Sequence, residues 1–256
     1  MTRASLMTLC HGTGDCVKAQ KDTYMKLLKT ISLLATPMVV CMPLLADSAA
    51  KDSQERLHEA ATVFSEVTSA PDKGIPSDLI ERAKCVVIVP GMKKGAFIVG
   101  AKYGKGFISC RGANDGAWSA PGAIRIEGGS VGFQIGGSET DVVMLVMNDT
   151  GARKLLESKF TLGGEGEVAA GPVGRNAAAN TDAKMSAEIL SWSRSRGAFA
   201  GISLQGATLR ENMEDNEAMY GSKLSNKDIV TKRQQKTPAA EELISMLNKY
   251  SPAKAR

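Results

Sequence analysis

Few side chains in this 256-residue sequence could carry out covalent or proton-transfer chemistry. There are two histidines, His11 and His58, and His11 falls in a leading segment that reads as separate from the fold. With His58 alone, no Ser-His-Asp, Cys-His or two-histidine metal site can be assembled. Cys10, His11 and Cys16 have a spacing that matches no zinc pattern. Glu139 and Asp141 could be paired carboxylates for glycoside cleavage. They flank the start of an apolar run, however, where an aspartate commonly bonds to nearby backbone N–H groups. Glu211, Glu214, Asp215 and Glu217 lack the aspartate spacing and central glycine of a calcium loop and read as a solvated helix face. The glycine-rich turns spell neither a P-loop nor a dinucleotide fingerprint. These residues point away from an enzyme and call for no metal and no cofactor.

The chemistry that remains is electrostatic. From Arg82 to Asn114 the chain carries Arg82, Lys84, Lys93, Lys94, Lys102, Lys105 and Arg111, and no acidic residue. Lys93, Lys94, Lys102, Lys105 and Arg111 are the candidate anion-binding residues. The lysines lie beside glycine turns, whose backbone N–H groups can also face an anion. Basic residues near an anionic membrane contribute on the order of 1 kcal/mol each. The same lysines also suit strand edges, where they discourage edge pairing. A net charge of +5 is too weak to suggest nucleic acid.

The elements that must position these groups follow from periodicity. Leu57, Ala60, Ala61, Phe64 and Val67 recur at helical spacing across residues 54–70, with Ser53 placed as N-cap. The polar face of this helix carries Glu55, Glu59 and Glu66 against Arg56, which favours packing on a sheet over membrane insertion. Ser77 is placed to cap a short helix that turns Leu79, Ile80 and Ala83 inward. Six short β-prone runs follow, at 85–89, 96–103, 107–111, 123–127, 131–135 and 142–147, each bounded by glycines. That texture predicts an antiparallel meander rather than βαβ units. Residues 149–160 read as a crossing helix, and 188–194 with 198–204 as a hairpin. Pro238 opens an amphipathic helix through Leu243, Ile244 and Leu247 in a polar tail, 222–256, outside the core. The predicted class is α+β, with an antiparallel, barrel-like or strongly curved sheet and helices packed at its ends.

The amino-terminal fifty residues read as targeting. Lys26 and Lys29 precede an apolar stretch from Ile31 to Leu45, and Ser48 and Ala50 suit cleavage before Lys51. Residues 25–50 therefore have the order of a secretory signal peptide, and 1–24 that of an over-extended start. The apolar run is shorter than the roughly 20 residues needed to span a bilayer. The expected location is exported, periplasmic or membrane-associated. Without residues 1–50 the cysteines are Cys85 and Cys110. They could pair in an exported protein, but both sit in apolar strand-like segments and read as buried free thiols.

An ordered series of motifs carries a family likeness. Ile75-Pro76 leads into Ala83-Lys84-Cys85-Val86-Val87-Ile88-Val89-Pro90, then Lys94-Gly95-Ala96-Phe97 and Tyr103-Gly104-Lys105-Gly106. Trp118-Ser119-Ala120-Pro121, Gly132-Phe133-Gln134-Ile135-Gly136 and Thr140-Asp141 follow. Ala170-Gly171-Pro172-Val173-Gly174-Arg175, Arg196-Gly197-Ala198-Phe199-Ala200-Gly201 and Tyr220-Gly221 close the series. In this order, across residues 53–221, the chain resembles the SYLF domain family. The resemblance implies a lipid-binding module. Eukaryotic relatives bind phosphoinositide membranes, and some bind actin; bacterial relatives are typically exported. The expected partner is an anionic lipid or membrane surface, with an envelope protein as a further possibility. The other reading is a structural or protein-interaction module whose basic face takes an acidic partner or polymer.

Overall fold

Two long strands organise the sheet, β1 (Cys85–Cys110) and β2 (Gly122–Val146), paired antiparallel from Cys85↔Val146 to Ile108↔Gly122. The computed structural model describes residues 42–70, 74–112, 115–172, 187–195, 198–202, 204–233 and 237–253, excepting the side chains of 42–47, 96–99, 130–136 and 198–199. The chain divides into two compact units, Met1–Ala46 and Asp47–Arg256, and the sheet belongs to the second.

The six short runs expected from the sequence are thus two continuous strands. Their glycines bend the ribbon where they were expected to end it. At 90–91 two residues of β1 oppose Asp141 alone, and Gly91 takes φ +56°. This is a bulge, which sharpens bend and twist. Asp141 fixes it by accepting from the Gly91 N–H (2.9 Å) and from Arg194 Nε (2.7 Å). The sequence leads to the expectation of a nearby backbone N–H for Asp141; its backbone partner lies fifty residues away, across the sheet. Burial pushes the Asp141 carboxyl up from its ordinary value.

The bent ribbon brings the two ends of β1 together. The Arg111 N–H donates to the Lys84 carbonyl at 2.8 Å, and Cys85 and Cys110 form a disulfide. The free-thiol expectation fails here. Twenty-five residues separate the two cysteines, and no local pattern reveals that the strand between them doubles back.

Among the described residues the sheet has seven strands, in a strongly curved half-barrel. Past β2 the chain forms α3 (Asp149–Leu155), then β3 (Lys159–Thr161), β4 (Val168–Ala170), β5 (Ile189–Ser195), β6 (Ala198–Gly201) and β7 (Thr208–Glu211). β2 is central: its first half pairs β7, its second half β5. β5 and β6 form the expected hairpin, while β4 joins β5 in parallel, an exception to the antiparallel expectation. The expected 149–160 helix is cut short at Leu155 and gives way to β3. The Asn148 side chain caps α3 by accepting from the Gly151 N–H.

Alternation along β1 and β2 creates two apolar clusters. Val87, Val89, Met92, Ile108, Ile124, Ile126 and Met144 face the concave side. Val86, Ile88, Phe107, Val143 and Leu145 face outward, beneath helices α1 (Met42–Ser69), α2 (Ser77–Arg82) and α6 (Pro238–Tyr250). All five apolar positions of the first helix are buried, as expected. Its start differs: Pro43 falls in the first turn, where proline is tolerated, and no breaker follows it before residue 53, so the helix runs from Met42, and Ser53 is a buried interior position rather than a cap. Likewise Pro76, with no side-chain bond, occupies the cap of α2, and Ser77 lies inside it. The last helix exists as expected, but Leu243 and Leu247 join the outer core, so the tail is not peripheral. Two further helices, α4 (Met213–Tyr220) and α5 (Asn226–Lys232), complete the unit. Part of the polar face of α1 is spent internally, since Arg56 reaches Asp215 and Glu66 pairs with Arg194, while Glu55 and Glu59 are exposed. His58 bonds Glu242 of α6 at 2.7 Å, which raises its imidazole above its ordinary value.

Candidate functional site

The five basic residues singled out in the sequence do not form one patch. Lys93 and Lys94 follow the 90–91 bulge within β1 rather than lying in a turn, and alternation sends them to opposite faces. Lys94 shares the concave side with Met92. Partial burial lowers its ammonium from the ordinary lysine value, and the Lys102 ammonium nearby lowers it further. The doubled-back strand has therefore brought two lysines eight positions apart close enough to repel. Lys93 lies opposite Glu139.

Arg111 has a different task. Its guanidinium lies over the Trp118 ring at 4.4 Å and donates to the carbonyls of Gly116 (2.7 Å), Ser251 (2.8 Å) and Pro252 (3.3 Å). It holds the carboxy-terminal segment to the sheet, and burial lowers its pKa. Trp118 is buried as well, donating from Nε1 to the Ser251 carbonyl at 3.0 Å, so it is a core plug, not a surface anchor. Trp192, the other tryptophan, is equally enclosed. Phe97, an aromatic residue within a β-prone run, is expected in the core on sequence, and its side chain lies outside those described.

Lys105 is the residue that leads to a site. It pairs in register with Arg125 of β2, Arg125 with Arg210 of β7, and Arg210 with Lys159 of β3. Residues directly opposite share a face, so four cations form one row straight across four strands. Adjacent strands lie about 4.8 Å apart, so the row is roughly 14 Å long. Their side chains are accessible, at 31% for Lys105 and 38% for both arginines, and Lys159 is exposed.

Like charges placed directly opposite one another destabilise a sheet. Two carboxylates offset part of the repulsion here. Glu127, in the next row, lies 2.9 Å from Arg125 Nε and 3.4 Å from Arg210 Nε. Asp215 lies 3.0 Å from Lys105 and 3.2 Å from Arg56. Asp215 is buried, contrary to the expectation of a wholly solvated acidic cluster on α4. Four cations against two carboxylates leave the row positive. Tyr103, opposite Glu127 and on the same face, is the exposed large hydrophobic side chain among the described residues, at 47%.

Arg125, Arg210 and Lys159 were not singled out from the sequence. The available signal was alternation: Arg125 and Glu127 interleave with Ile124 and Ile126, which marks a strand with one wet face. The register that aligns Arg125 with residues twenty and eighty-five positions away could not be read from it. Among the described residues no group of His, Cys, Asp and Glu is arranged to hold a metal, and no helix is long and apolar enough to cross a membrane.

Comparison with known proteins identifies relatives of this chain. Residues 127–250 match the family model described as Ysc84, Las17-binding protein actin regulator. An SH3 domain-containing YSC84-like protein 1 of Rattus norvegicus is 38% identical over 207 residues, covering 80% of this chain and 59% of its own length. The human protein of the same name is 37% identical over the same span. Protein YSC84 of Saccharomyces cerevisiae is 36% identical over 179 residues, 69% of this chain and 38% of its own length. The chain thus spans less than two thirds of the length of these relatives.

Proposed function

Because this chain belongs to the Ysc84/SYLF family, we propose that it is a non-enzymatic module that docks on anionic lipid surfaces, exported to the bacterial envelope. The cation row Lys105–Arg125–Arg210–Lys159 carries this reading. A fold that keeps four like charges in register tolerates their repulsion, and an anionic surface would relieve it. The row runs straight across four strands, which suits an extended partner better than a small ligand. Tyr103 beside the row favours a bilayer in particular, because a phenol ring suits the boundary between headgroups and chains. Lys94 and Lys102, held close together on the concave side, offer a second attraction for anions.

Vesicle co-sedimentation tests the reading. Wild-type protein should bind phosphatidylglycerol-containing vesicles, and binding should fall steeply with salt, since the Debye length is about 8 Å at physiological ionic strength. Replacing both Arg125 and Arg210 by glutamine removes about 2 kcal/mol of attraction and should weaken binding about thirtyfold. Circular dichroism should show the fold unchanged. Wild-type protein that ignores these vesicles at low salt would refute lipid docking.

A protein-interaction role is the second reading. Its support is the name of a yeast relative, LAS seventeen-binding protein 3, which describes a protein partner for that protein. Capture of an acidic envelope protein, with no vesicle binding, would favour it.

Export rests on the signal-like order of residues 25–50. Cleavage after Ala50 would leave α1 from Lys51 onward and keep every apolar residue that it buries between Leu57 and Val67. Amino-terminal sequencing of protein recovered from its host should read Lys51-Asp52-Ser53; a chain starting at Met1 or Met25 would exclude cleavage.

A further inference from the structure

We propose that the groove beside the Cys85–Cys110 disulfide is a binding site for a single-chain organic anion, a carboxylate or phosphate head on a short hydrocarbon body. The groove has a volume of about 650 Å³, within the range of small-molecule sites. It lies where β1 returns upon itself, between α3 and α5, away from the cation row. Its apolar wall is formed by the disulfide with Ala152, Leu156 and Val230.

The rim supplies the charge. Lys84, Arg111, Arg153 and Arg233 line the groove, against Asp115 and Asp149. Each of these two carboxylates is engaged by one cation: Asp149 lies 3.3 Å from Lys84, and Asp115 lies 2.6 Å from Arg233. Arg111 spends its terminal nitrogens on main-chain carbonyls and a serine hydroxyl, which neutralise nothing. Arg153 donates to the Thr150 hydroxyl. The groove therefore carries more positive charge than its own acids balance.

Donors are also left over. The Nε atoms of Arg111 and Arg233 are buried without an acceptor, and both residues line this groove. A buried donor without a partner is costly, and two enclosed beneath one groove add to its positive potential. Arg233 is also the one non-glycine residue with positive φ among the described residues, at 52°. Its guanidinium is held there by Asp115 and by the Trp118 carbonyl at 3.1 Å. Strain of this kind persists where the surroundings fix a side chain in place. The unbalanced cations of the rim select an anionic head. The apolar wall selects against inorganic anions, which would leave it wet.

Isothermal titration with decanoate, kept below its micelle concentration, tests the site, with inorganic phosphate and anionic vesicles as separate arms. Decanoate should bind saturably at one site, and phosphate about tenfold or more weakly, because it gains nothing from the apolar wall. Ala152→Phe fills the groove and should abolish decanoate binding while leaving vesicle binding intact. Should that variant unfold, Arg153→Gln, at the rim, should still weaken decanoate several-fold with unchanged melting. No decanoate binding by wild type, undiminished binding by these variants, or equal affinity for phosphate would overturn the proposal. Failure of vesicle docking would leave it standing, since the two sites share no residue.

Discussion

Gly106→Ala should destabilise the protein by about 3 kcal/mol or more, at the upper end of what overpacking costs. A Cβ at that position would run into the Ile88 carbonyl oxygen and sit 2.8 Å from Val89 Cα. Both obstacles are backbone, so no rotamer change can relieve them. The contact arises because β1 lies against its own first half, and only a residue without a side chain lets the two segments approach. Urea unfolding should show the lowered midpoint. Gly129→Ala is the control, since the nearest atom to its Cβ would be the Gly100 carbonyl oxygen at 3.9 Å, an ordinary contact. Equal midpoints for the two variants would mean that the ribbon does not fold back as described.

Trp118→Ala should cost roughly 3–5 kcal/mol, the range for removing a large buried aromatic side chain. Trp118 is 5% exposed and carries three attachments. The Arg111 guanidinium stacks on its ring, its Nε1 donates to Ser251, and its carbonyl accepts from Arg233. Ser251 in turn donates to the Ile80 carbonyl at 3.0 Å. Losing the indole therefore loosens the carboxy-terminal segment and α2 along with the sheet. Trp118→Phe keeps a ring beneath Arg111 and loses one hydrogen bond, so it should cost about 1 kcal/mol beyond its packing change. An unchanged denaturation midpoint for the alanine variant would mean that Trp118 is not part of the core.

What could be read from the sequence was whatever depends on neighbours in the chain. Leu57 to Val67 announce a helix face because the burial period of a helix is local. Val86 to Val89 and Val142 to Val146 announce strands for the same reason. The errors concern places where distant segments decide. Glycine at 91, 104 and 106 looks like punctuation to a local reading, yet in a sheet it equally permits bending and close approach. Lys105 and Arg111 look alike in a basic stretch. One ends in the cation row, braced by Asp215, and the other clasps Ser251, because their partners lie more than a hundred residues onward. Arg125, Arg210 and Lys159 went unseen for the complementary reason: only strand register makes them neighbours.

The β1–β2 ladder also sets an order of assembly. Beside the 111–121 connection, Ile108↔Gly122 joins residues close in the chain, whereas Cys85↔Val146 joins the most distant pair. Closing a short loop costs less entropy than closing a long one, so pairing should start next to that connection and advance outward like a zip. Each step shortens the loop that the next must close. The bulge at 90–91 is reached late, and Cys85 meets Cys110 only after the ribbon has turned there. β7 and β5 are made later in the chain and add to a surface already in place. A variant that slows pairing near Ile108 should delay all that follows, whereas one near Cys85 should chiefly hasten unfolding.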